Sequence, residues 1–248
     1  MSDAHSSPRL AHHFESMEQQ KQAASLGMWV FIAQEVMFFG GLFLGYTVYR
    51  HLYPGAFAAG SHELSVAWGG FNTVVLILSS LTVALAVRAG HMGRNAAIIK
   101  WLIATMVLGF VFLGVKAIEY HGKWEHHLIP GANFHYDPHH TAAAEHAGKH
   151  VTDAFAAATA ETDQHAKAYT PGNVQIFFAF YFAMTGMHAL HMVIGVGLMI
   201  WLIGRARRQE FAADYNSPIE LFGLYWHFVD VVWIFLFPLL YLIERHVQ

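Results

Sequence analysis

Five separate runs of this chain are long and apolar enough to cross a lipid bilayer, and no other feature constrains the fold as strongly. A crossing helix needs roughly 20 apolar residues at about 1.5 Å each. The runs fall near 26–49, 67–88, 98–119, 173–203 and 219–243. Inside hydrocarbon every backbone polar group needs an internal partner, so such runs form helices. Composition points the same way. The 248 residues are 55% hydrophobic and 12% charged, against about 25% charged in a soluble domain. The expected fold is all-α: a polytopic membrane protein with five transmembrane helices in a bundle, residues 26–248. Gly41 and Gly45 form a GxxxG pair in the first run, which permits close helix approach. Residues 1–25 are polar, with neither an apolar core nor a small-residue cleavage site. They read as a mobile or interfacial N-terminal arm, not a signal peptide.

Lysine and arginine set the orientation. The arm carries Arg9 and Lys21, and two short loops carry Arg88, Arg94 and Lys100, and Arg205, Arg207 and Arg208. All three clusters lie on one side of a five-helix topology. Short basic loops stay in the cytoplasm, so the N-terminus is expected inside and the C-terminus outside. The net charge of −3 leaves no basic footprint for nucleic acid. Having no cysteine, the chain has no disulfide, zinc–thiolate site, iron–sulfur cluster or thiol nucleophile.

The outer loop near 121–172 is unusually long, a length that marks function or disorder. Nine of the nineteen histidines fall in it, many within "EYHGKWEHHLIPGANFHYDPHH". Clustered histidines outside a membrane can bind zinc or copper, yet these spacings repeat no regular ligand pattern. A solvated, pH-sensitive surface is the expectation. The alanine-rich second half suits an exposed helix lying on the outer surface or against a partner.

Ionisable groups within the apolar runs carry the most information, because each costs roughly 2.5–3.5 kcal/mol at mid-bilayer on insertion scales. Glu35 sits among Phe31, Ile32, Phe38 and Phe39 on its own helix face. Another helix supplies its partner, or the carboxyl stays protonated. A proton relay or regulatory carboxyl and a hydrogen bond fastening two helices are both open. His188 or His191 is the candidate partner. Lys116 and Glu119 are spaced for an i,i+3 ion pair, with Lys116 snorkelling outward. His227 and Asp230 repeat that spacing, and a carboxylate on the same face can set a histidine tautomer.

His188 and His191 share a helix face, and with His227 they can be drawn as a metal set. Three histidines on two helices make an incomplete cage, and no HxxHH cluster lies in or beside a helix. Satisfied structural histidines are the plainer account. A stand-alone membrane metalloenzyme is the competing one.

The segments "LGMWVFIAQEVMFFGGLF", "FNTVVLILSSLT", "GVKAIEY", "FFAFYFAMTGMHALHMVIG" and "YWHFVDVVWIFLFPLLYL" occur in this order. Together they resemble subunit III of haem–copper terminal oxidases, in a five-helix form, over about 26–243 apart from much of the third loop. The resemblance implies no catalytic residue and no metal site in this chain, with haem and copper in partner subunits I and II. It implies phospholipid binding, a main contact with subunit I, and a part in complex stability and sustained proton uptake during aerobic respiration. A bacterial cytoplasmic membrane is the expected location. Glu35 falls on the family's buried, carbodiimide-reactive carboxyl. His188 and His191 fall on HxxHxxxG, His227 and Asp230 on WHFxDxxW, and Glu119 on an Glu–Tyr pair. Lys116 stands where mitochondrial relatives commonly have glutamine. Gln34–Glu35 favours the cytochrome c branch over quinol oxidases, which also use the five-helix form.

Overall fold

The computed structural model describes residues 14–131, 134, 136, 171–212 and 215–242. Six helices occupy most of them: α1 (Met17–Leu52), α2 (Pro54–His62), α3 (Val66–His91), α4 (Asn95–Glu125), α5 (Pro171–Arg207) and α6 (Ser217–Tyr241). All except α2 are long and apolar enough to cross a membrane. The fold is the all-helical, five-span architecture that the apolar runs predict.

The elements run further than the apolar runs. α1 begins at Met17, so residues 17–25 of the expected arm are helical. The cause is local capping. The Gln19 N–H donates to Ser16 Oγ at 3.2 Å, and Gln19 Oε1 accepts from the Glu15 N–H at 2.8 Å. These contacts serve N–H groups that have no helical partner. Residues 1–13 of the arm lie outside the described residues. So do the loop histidines from His135 onward and the alanine-rich half with its expected helix. α4 continues to Glu125, which makes the start of the expected loop helical too. α2 has no long apolar run to announce it. Proline at its first position supplies a ready helical φ, and Ala56 and Phe57 are buried.

Two compact units divide the chain. The first comprises Met1–Gly40, Asn72–Leu113 and His188–Ile234; the second comprises Gly41–Phe71, Gly114–Met187 and Phe235–Gln248. Trp226 centres the first unit. It is fully buried, and its indole N–H donates to Ser79 Oγ at 2.8 Å. Its ring lies so close to Gly195 that a Cβ there would sit 2.5 Å from a ring carbon. This accounts physically for the glycine of HxxHxxxG, since a small residue lets α6 approach α5. Gly195→Ala is expected to cost about 1–3 kcal/mol through overpacking. Thermal unfolding of the detergent-solubilised protein measures it, and an unchanged midpoint would contradict the contact.

In the second unit Tyr46 is fully buried. Its hydroxyl donates to the Leu239 carbonyl at 2.6 Å, at the residue that follows Pro238 inside α6. Its ring meets Phe57 edge-on, with centroids 5.2 Å apart. Phe177 packs against Gly60, where any Cβ would collide with its ring.

Candidate functional site

In the first unit α1 carries Glu35 and α5 carries His188 and His191. Glu35 Oε2 lies 3.3 Å from His191 Nε2, with both side chains about nine-tenths buried. Of the two candidate histidines, His191 is the one that meets the carboxyl. Phe39, one turn along α1, packs on the same imidazole with centroids 5.5 Å apart. The Tyr225 hydroxyl donates to the His191 carbonyl at 2.8 Å, so α6 holds this turn of α5 from another side. His188 faces elsewhere. Its ring packs against Phe112 at 5.2 Å and Trp233 at 5.3 Å between centroids, and the Trp233 N–H donates to Thr73 Oγ1 at 3.1 Å.

His227 and Asp230 do not form the pair expected from their spacing. His227 Nδ1 lies 2.7 Å from Ser80 Oγ on α3. The hydroxyl donates to a bare nitrogen or accepts from a protonated one. Ser80 is also a side-chain hydrogen-bond partner of the Asp230 carboxyl, which is buried at 3% exposed. The physical reason is reach: a short aspartate side chain loses to a hydroxyl presented at the same level by the neighbouring helix.

The second unit gathers a closed polar network. Lys116 Nζ donates to Glu119 Oε2 at 3.0 Å, Tyr181 OH at 3.1 Å and Tyr241 OH at 2.9 Å, which uses all three ammonium protons. The two tyrosines donate in turn to Glu119 Oε1, at 2.8 and 2.7 Å. Lys116 is buried and does not snorkel. Beside it Tyr120 shares a hydrogen bond with Thr185, whose hydroxyl donates to the Tyr181 carbonyl. Lys123 Nζ donates to the Glu63 carbonyl.

Among the described residues no three histidine, aspartate or glutamate side chains are grouped to hold a metal. His188, His191 and His227 go respectively to an aromatic pocket, a carboxyl and a serine. The sequence reading missed Ser80, Tyr181 and Tyr241 as partners. The signal available was general: a tyrosine inside an apolar helix finds a hydrogen-bond partner for its hydroxyl.

The chain matches the family described as cytochrome c oxidase subunit III over residues 132–244. It is 29% identical over 222 residues to cytochrome c oxidase subunit 3 of Corynebacterium diphtheriae, covering 89% of this chain and 88% of that one. It is 25% identical over 242 residues to cytochrome bo(3) ubiquinol oxidase subunit 3 of Pseudomonas aeruginosa, covering 98% and 94%. A quinol oxidase subunit 3 from Bacillus spizizenii is also 25% identical, over 91% of each chain.

Proposed function

Because this chain belongs to the subunit III family of haem–copper terminal oxidases, we propose that it is the non-catalytic membrane subunit of a proton-pumping cytochrome c oxidase. It flanks subunit I, with subunit II in the same complex, in a bacterial cytoplasmic membrane. The N-terminus and the basic loops face inward. It binds phospholipid and sustains proton uptake and the working life of the enzyme, while haem and copper reside in its partners. The observation that carries this reading is similarity along nearly the whole chain to oxidase third subunits. The internal use of its polar groups adds support. Glu35 with His191, and Lys116 with Glu119 and two tyrosines, are arranged as fasteners between helices. We assign cytochrome c as donor. The near-complete overlap with a ubiquinol oxidase subunit favours a quinol as the second reading.

Purification through a tag on this chain tests the proposal. Expected are a haem-bearing and a copper-bearing partner in equal amounts, with oxygen uptake driven by reduced cytochrome c. Uptake driven by quinol alone moves the complex to the second reading. Stoichiometric iron, copper or zinc on the separated chain, lost in His188→Ala or His191→Ala, would replace both with the metalloenzyme reading.

A further inference from the structure

The Lys116 ammonium in the second unit stands at a point where acceptor oxygens and aromatic rings converge. Glu119 Oε2, Tyr181 OH and Tyr241 OH lie 3.0, 3.1 and 2.9 Å from it. Three tyrosine rings surround the same point, with centroids 5.4 Å away for Tyr120, 5.0 Å for Tyr181 and 5.6 Å for Tyr241. Each falls within the roughly 6 Å over which a ring face attracts a cation. Tyr181 and Tyr241 are fully buried and Lys116 is 3% exposed, so bulk water screens little of this attraction.

The placing of the protons makes the point selective. A phenol hydroxyl has one proton and two lone pairs. Tyr181 and Tyr241 both donate that proton to Glu119 Oε1, at 2.8 and 2.7 Å. Only lone pairs of these three groups are then left for the central point. An anion placed there would meet acceptors alone, whereas an ammonium meets a partner for each of three protons. Each ring is also held by contacts that do not involve Lys116. Glu119 anchors two of them, and Tyr120 donates to Thr185, whose hydroxyl donates to the Tyr181 carbonyl. The Tyr120 and Tyr181 rings meet edge-on with centroids 6.0 Å apart, and the Tyr241 ring packs on Phe237 at 5.6 Å. A site held in this way keeps its shape without its occupant, and such preorganisation lowers the cost of binding.

We propose that Glu119, Tyr120, Tyr181 and Tyr241 form a preorganised cage for a primary ammonium ion, of which Lys116 is the tethered occupant. The second unit requires a cation at this point, and the lysine stem is the means of holding it there. Emptied of that stem, the cage takes a free ion of the same chemistry, such as methylammonium. The inference concerns the folded chain itself and does not depend on the oxidase reading.

Methylammonium chloride titrated into the solubilised Lys116→Ala protein tests this. Alanine leaves a polar cavity where stem and ammonium were, and the neutral amine form crosses hydrocarbon to reach it. At about tenfold above its dissociation constant the ion should raise the unfolding midpoint by about 3–6 °C. Tetramethylammonium chloride carries the same charge without an N–H, and should leave the midpoint where it is. The unaltered protein, its cage filled, should not respond to methylammonium. Neither should Lys116→Ala combined with Glu119→Gln. Should Lys116→Ala not accumulate, its yield from cells grown with and without methylammonium becomes the readout, with the same expected order. An unshifted midpoint, or an unchanged yield, in the single variant overturns the proposal. So does an equal response to tetramethylammonium, or an equal response of the unaltered protein, since either is a general effect of salt. Rescue that survives Glu119→Gln overturns it too, because the carboxylate is the charge that holds the ion.

Discussion

Lys116→Met is expected to destabilise the protein by about 3–5 kcal/mol, the cost of leaving one member of a buried ion pair behind. The ammonium serves three acceptors at once, and the Glu119 carboxylate would keep only its two tyrosine donors. The value discriminates between two pictures of one sequence pattern. A solvent-exposed i,i+3 pair contributes only about 0.2–0.5 kcal/mol, and a snorkelling lysine loses little on truncation. Equilibrium unfolding of the solubilised protein, with helix content followed against denaturing detergent, gives the number. Adding Glu119→Gln to Lys116→Met removes the stranded charge while still accepting from Tyr181 and Tyr241, so about half the loss should return. A loss below about 0.5 kcal/mol for the single variant would place Lys116 at the surface and refute the network.

The difference between those pictures marks where sequence reading stops. Five spans were legible because hydrocarbon imposes a length and an exclusion of charge that no other solvent imposes. The polar positions within them were legible for the same reason, since Glu35, Lys116, His188 and Asp230 stand out against apolar neighbours. Spacing along one helix identifies which side chains share a face. Lys116 and Glu119 meet, as that rule allows. His227 and Asp230 share a face equally well and do not bond, because Ser80 on another helix lies at the right depth. Partner choice across helices depends on axial rotation and depth, and neither is written in a single segment. Helix ends were obscure for a related reason. Ser16 and Gln19 cap α1 through hydrogen bonds to the backbone, and hydropathy carries no record of those.

Glu35→Ala is expected to leave the haem content of the complex unchanged while cutting the number of turnovers before inactivation about tenfold. The link from residue to lifetime runs through α1. Only 11% of its most apolar stretch is buried within the chain, against 50% for α6, so few apolar contacts hold it. The Glu35–His191 contact at 3.3 Å is a polar tie from α1 to α5. Removing a buried hydrogen bond of this kind costs about 1.5–3 kcal/mol when one partner is charged and less when both are neutral. A factor of ten corresponds to about 1.4 kcal/mol. Glutamine can still hydrogen-bond His191, so Glu35→Gln should retain its lifetime within about twofold if fastening is the role. Should Glu35→Gln inactivate as fast as Glu35→Ala with both haems in place, proton exchange at Glu35 rather than the tie itself would be what the oxidase needs.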